Sequence, residues 1–188
     1  MKRYVLIAAA VLMCATPSAV QAQGGHVLLT PFAGVSFGGD LDSTRGTFGA
    51  ALTLIGDQFG LELDFSHAPN FFGDEDIPGV DSSAMTVMAS LKWMKRVQDR
   101  GVQPYLVAGI GLIRTRLDAD AIFDNVTTND LGFNLGGGLG VFFSDHVGLR
   151  ADFRYLRAFQ DADLGDDVDF EISSFDFWRG TVGLAFKF

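Results

Sequence analysis

Few residues in this 188-residue chain are equipped for chemistry: three histidines, His26, His67 and His146, and one cysteine, Cys14. Ser66 and His67 are neighbours, and Ser/His pairs serve acyl chemistry, but adjacent residues on a strand face opposite sides. No nucleophile, base and orienting group can be assembled around them, which argues against an enzyme. No two histidines share a metal-site spacing, so neither metal nor other cofactor is expected. The run from Asp161 to Glu171 has the carboxylates of a calcium loop, but its Gly165 comes one position early and Ile172 stands at position twelve. It reads as a solvated acidic loop. What remains is a set of charges: Glu62 and Asp64; Lys92; Arg150, Asp152 and Arg154; Arg179 and Lys187. Where a group has more than one member the spacing is an even number of residues, which puts its members on one face of a strand. Buried together they would form an ion-pair and hydrogen-bond network. Such a network is either a proton or ion path or a structural polar core, and the second is the reading adopted.

The elements that would carry these charges are strands. Residues 1–22 read as a cleaved export signal, with Lys2 and Arg3, an apolar stretch from Tyr4 to Met13, and Val20-Gln21-Ala22 before Gln23. Residues 23–188 then form one domain. A chain that is 48% apolar is not disordered, and its net charge of −9 argues against a nucleic-acid partner. No apolar run beyond Gln23 approaches the roughly 18 residues of a spanning helix. Alternation of period two instead predicts strands near 27–38, 45–56, 59–68, 82–93, 103–117, 130–143, 147–160 and 174–188. Short turns after the second and sixth strands oppose longer acidic connections at Pro69–Asp81, Asp118–Asn129 and Asp161–Glu171. That organisation is all-β: an eight-stranded antiparallel up-and-down transmembrane β-barrel.

Alternation alone does not say which face is wet. One face carries Thr47, Gly49, Thr53, Ser66, Thr86, Ser90, the glycines between Gly132 and Gly140, and the charges named above. Glycines weaken a solvent-facing strand without return, whereas they make room inside a narrow barrel. The other face carries Phe48, Leu52, Leu61, Leu63, Phe65, Leu91, Leu135, Phe153, Val182 and Leu184, which would overfill an eight-stranded lumen and so point to lipid. The fifth strand resists this assignment. Leu106, Ala108, Ile110 and Leu112 share parity with Arg114 and Arg116, while Tyr105, Val107 and Ile113 share the other, so alternation does not orient this strand without a bulge.

The final residues resemble the insertion signal of outer-membrane barrels, and the match covers Thr181, Gly183, Phe186 and Phe188. The segments Thr30-Pro31-Phe32-Ala33-Gly34, Gly60 to Phe65 with Ser66 to Phe72, and Pro104-Tyr105 leading to Gly109-Ile110-Gly111 are similar to the small outer-membrane β-barrel domain proteins of Gram-negative bacteria, the OmpA/OmpX/OmpW-like porin family. The resemblance implies a monomeric barrel with both ends in the periplasm, inserted by the barrel-assembly machinery and surrounded by outer-membrane lipid and lipopolysaccharide. Clustered loop carboxylates would share divalent cations with that lipopolysaccharide. The implied role is a non-enzymatic scaffold whose long acidic loops serve envelope integrity or surface interaction. A narrow channel for small solutes or apolar compounds is the alternative, and a lipid-modifying enzyme ranks below both. No cell-wall-anchoring domain is expected.

Overall fold

The computed structural model describes residues 25–41, 43–71, 80–95, 101–119, 126–159 and 175–188. They form eight strands: β1 (His26–Phe37), β2 (Arg45–Ile55), β3 (Phe59–Pro69), β4 (Val80–Met94), β5 (Val102–Ala119), β6 (Val126–Phe142), β7 (Val147–Phe159) and β8 (Asp176–Lys187). Each pairs antiparallel with its chain neighbours, and β8 returns to β1 to close the barrel. Val27 and Phe188 clasp the closing seam, each donating its amide to the other's carbonyl at 3.3 and 2.9 Å. Pro31 has no amide to give, and along that seam the register runs from Leu29↔Phe186 to Phe32↔Gly183 across it.

Strand lengths of 11 to 18 residues exceed those of ordinary globular sheets and suit a tilted membrane crossing. Leu61, Ile110, Leu135 and Val182 stand more than half exposed on the outer wall. In water such a wall would be an aggregation surface; in hydrocarbon it is solvated. Phe48, Leu52, Leu63, Phe65, Leu91, Phe153 and Leu184 lie on the same wall.

The fifth strand needs no bulge. Its ladder to β4 runs unbroken from Val80↔Ala119 to Met94↔Tyr105, and its ladder to β6 is equally regular. Even-numbered residues therefore face outward throughout, Arg114 and Arg116 included, and Tyr105, Val107 and Ile113 are buried inside. The anomaly was one of height, since both arginines lie at the outer end of the strand, beyond the apolar wall. A second correction concerns the connection expected over Asp118–Asn129. Asp118 and Ala119 belong to β5, and β6 begins at Val126, so the hairpin is built well beyond that expectation. Val126, Thr127 and Thr128 are β-branched and suit a strand.

Residues 1–22, where an export signal is expected, and the acidic segment Asp161–Glu171 lie outside the described residues, as does most of the connection after β3. Among the described residues no helix is long and apolar enough to cross a membrane.

Candidate functional site

The barrel interior is packed in three layers. At the outer end, Leu41, Phe71, Met88, Ile113, Leu156 and Phe177 form an apolar cluster. Phe71 sits edge-on to Phe177, with ring centroids 5.3 Å apart. At the inner end, Leu28, Ile55, Met94, Tyr105 and Ala185 form a smaller one, with Phe142 against it. Between them lies the polar layer.

Glu62 on β3 is its centre. It accepts hydrogen bonds from Thr53 Oγ1 at 2.7 Å, Lys92 Nζ at 2.9 Å, Arg150 Nη1 at 2.7 Å and Arg154 Nη2 at 2.6 Å. Arg150 engages it in bidentate fashion, its Nη2 reaching the other oxygen at 3.1 Å. Asp152 is the second acceptor, taking Arg150 Nε at 2.6 Å and Arg154 Nη2 at 2.8 Å. Tyr105 closes this group from the inner side. Its hydroxyl accepts from Arg150 Nε at 2.9 Å, and its ring lies 3.9 Å beneath Lys92 Nζ.

A second group lies beside the first. Asp64 accepts from Arg179 Nη2 at 2.8 Å, while Arg179 Nη1 donates to Ser66 Oγ at 2.7 Å. Ser66 and Thr86 share a 2.7 Å hydrogen bond, and Asn134 Nδ2 donates to Ser90 Oγ at 3.0 Å. The structure thus brings together Glu62, Lys92, Arg150, Asp152 and Arg154 in one cluster, and Asp64 with Arg179 in another. All are buried apart from Asp152, whose side chain is 7% exposed. Charges this deep are tolerable only when paired.

Lys187, expected in the network, is not part of it. Its parity is luminal, but it lines a cavity of about 550 Å³ at the inner mouth with His26, Ile55, Gln103 and Phe142. The inner apolar layer separates it from Glu62. Alternation gives the face of a residue and not its depth, and Lys187 lies eight residues, roughly 20 Å, below Arg179 along β8.

Of the residues matching the insertion signal, Thr181 and Gly183 have luminal parity, while Phe186 and Phe188 have outward parity at the inner end. A side chain at Gly183 would run into Pro31 O and Phe32 Cβ on β1, so glycine is what lets the seam close.

Two participants escaped the sequence reading. Tyr105 was hidden by the unresolved orientation of its strand. Asn134, the one polar side chain in a luminal row of glycines on β6, carried a signal that was legible. Those glycines have a packing role: a Cβ at Gly138 would collide with the Tyr105 hydroxyl, and one at Gly136 with Arg154. Ser66 and His67 fall on opposite faces. Ser66 is buried in the lumen, and His67 meets Phe48 edge-on on the wall, with centroids 5.5 Å apart. Among the described residues no cluster of three or more metal-ligating side chains occurs.

The barrel's architecture is shared with known proteins. Neisserial surface protein A is 15% identical, with a TM-score of 0.62, over 87% of this chain and 96% of that one. The N-terminal β-barrel domain of Pseudomonas aeruginosa OprF is 14% identical, with a TM-score of 0.58, over 87% of this chain and 97% of that one. Ail, the attachment invasion locus protein of Yersinia pestis, solved with the heparin analogue sucrose octasulfate, is 14% identical with a TM-score of 0.58, over 87% and 98%. No curated protein sequence matches the chain. The outer membrane protein beta-barrel domain profile matches residues 6–187, nearly the whole sequence, and the chain belongs to that family.

Proposed function

We propose that this protein is a sealed, non-enzymatic barrel of the Gram-negative outer membrane, exported by a signal over residues 1–22, whose role is to hold its outer loops at the cell surface. One observation carries the reading: above the cavity at its inner mouth the lumen is filled, from the inner apolar layer through the ion layer to the outer cap. Arg154 is 1% exposed at its centre, and Met88 and Leu156 are fully buried above it. An eight-stranded interior is just wide enough to be filled by side chains, and here it is filled. Glu62 and Asp64 on β3 reach Arg154 and Arg179 on β7 and β8, so the ion pairs tie opposite walls together. Each guanidinium bond that spans the lumen removes space from a conduction path and adds rigidity to the cylinder.

The test is the current carried by the purified protein in planar bilayers. A sealed barrel gives no sustained unitary steps, and persistent open levels would overturn the reading in favour of a narrow channel. For an acyl-transfer enzyme the geometry is adverse, because Ser66 and His67 cannot meet. Expression of His67→Ala should leave lipid A composition the same as expression of the parent chain.

A further inference from the structure

The polar layer inside the barrel is not neutral. Glu62, Asp64 and Asp152 are its three carboxylates, and Lys92, Arg150, Arg154 and Arg179 its four cations. Among the described residues, two further charged side chains of luminal parity, Arg45 and Asp130, are partly exposed toward the outer end. They are one of each sign and leave the difference as it is. Lys187 lies beyond the inner apolar layer, at the mouth. Lys92 is held in its charged form: its ammonium donates to Glu62 at 2.9 Å and stands 3.9 Å over the Tyr105 ring. One positive charge is thus left over between two apolar layers, where a charge is tolerable only when paired.

Two donors mark where that charge is uncompensated. Arg154 and Arg179 are register partners on β7 and β8 and are 1% and 2% exposed. Arg154 uses Nε and Nη2 on Asp152 and Glu62, while Arg179 gives Nη1 to Ser66 and Nη2 to Asp64. What remains is Arg154 Nη1 and Arg179 Nε, both buried and both without an acceptor among the described residues. An unpaired N–H on a buried guanidinium is expensive. Water can accept from it, but water brings no charge to a layer closed on the outer side by Leu156 and Phe177 and on the inner side by Leu28 and Tyr105. An anion satisfies the donors and the charge together.

We infer that the barrel binds one monovalent anion of halide size in its lumen, in the fork between Arg154 and Arg179. The ion brings the layer to four charges of each sign. It accepts charge-assisted hydrogen bonds from Arg154 Nη1 and Arg179 Nε, the donors that the carboxylates and hydroxyls of the layer leave over. It also relieves the repulsion between two like charges set directly opposite each other in the sheet. Space selects its size. Leu156 and Phe177, the next luminal residues along the same two strands, are 0% and 2% exposed, so the fork is roofed by close-packed side chains. A monatomic ion fits such a fork and a tetrahedral oxyanion does not. This site is independent of whether the lumen conducts.

The experiment uses the whole mature barrel, refolded and crystallised in sodium bromide, with diffraction recorded at the bromine absorption edge. An anomalous peak in contact with both Arg154 Nη1 and Arg179 Nε is expected, and selenate in place of bromide should give none there. In parallel, barrel refolded in bromide is desalted and the retained ion counted by elemental mass spectrometry. The parent should keep about one bromide, and retention should fall at least about tenfold in Arg179→Gln and in Lys92→Met. The second variant removes neither donor but balances the layer at three charges of each sign. Lys187→Gln, at the mouth, should leave retention unaltered. Parent crystals without the bromide peak would overturn the inference, as would a selenate peak at the same place, or either Arg179→Gln or Lys92→Met holding bromide like the parent. A bromide peak in crystals whose barrels lose the ion on desalting would count against the seal and leave the site standing. The folded state of each variant is read beforehand from its migration on unheated gels.

Discussion

Arg154 on β7 and Arg179 on β8 stand directly opposite each other in the sheet register, both buried inside the barrel. Like charges placed so are destabilising by themselves. The two side chains part: Arg154 crosses the lumen to Glu62 at 2.6 Å, and Arg179 crosses to Asp64 at 2.8 Å. Glu62 and Asp64 are two residues apart on β3, on the same face. A pair of acids at strand spacing on one wall is thus matched to a pair of arginines facing each other on the opposite wall. Among the seven charges of the two clusters, three carboxylates face four cations, so the acids are the scarce partners.

Removing an acid should therefore cost more than removing an arginine. Glu62→Gln leaves Lys92, Arg150 and Arg154 crowded around a neutral amide, and a loss of about 3–5 kcal/mol is expected. Arg154→Leu removes the surplus cation while Arg150 and Lys92 still hold Glu62, and should cost less. Urea unfolding in detergent micelles, followed by the shift between folded and unfolded gel bands, measures both. Equal losses would mean that charge balance does not govern the layer.

The glycine row on β6 makes a separate claim. A Cβ at Gly138 meets the Tyr105 hydroxyl and the Ala151 carbonyl oxygen. Gly138→Ala should thus destabilise by about 1–3 kcal/mol through overpacking. Tyr105→Leu should recover part of that loss, because one of the two obstacles is gone, while the backbone oxygen stays. A coupling energy of about 0.5 kcal/mol or more in the double-mutant cycle is expected, and strict additivity would show that the ring does not occupy this space.

The direction of the faces is open to a depth test. Ile110 and Val182 are each 63% exposed on the wall. Arginine at either position should cost roughly 2–4 kcal/mol near the bilayer midplane, whereas Arg114→Leu at the outer interface should change stability by less than about 1 kcal/mol. Folding measured in lipid vesicles separates them. A tolerated Val182→Arg would reverse the assignment of inside and outside.

The faces of β2, β3, β6, β7 and β8 were legible because side chains alternate with a period of two and the two environments differ so much in chemistry. Depth was not legible, and two of the expectations failed for that reason. Lys187 shares a face with Arg179 but not a level, and Arg114 shares a face with Ile110 but not a solvent. Nothing in a strand pattern marks where the membrane stops. Nor did alternation distinguish the apolar luminal residues Met88, Leu156 and Phe177 from misplaced wall residues. Those residues cap the polar layer from outside, and only the closed geometry shows that they meet.

That cap leads to a prediction about which layer seals the barrel. Phe177→Ala and Met88→Ala should each destabilise by about 2–5 kcal/mol, the usual result of emptying a buried site. Neither should admit a current, because Arg150, Arg154 and Lys92 still close around Glu62 below them. Shortening both cross-lumen partners, in Glu62→Ala with Arg154→Ala, removes the bond that spans the cylinder at 2.6 Å. If the ion layer is the seal, that double variant is the one that flickers open in planar bilayers while the cap variants stay silent. Steady conductance from Phe177→Ala alone would move the seal to the outer cap and leave the charges the task of holding the walls together.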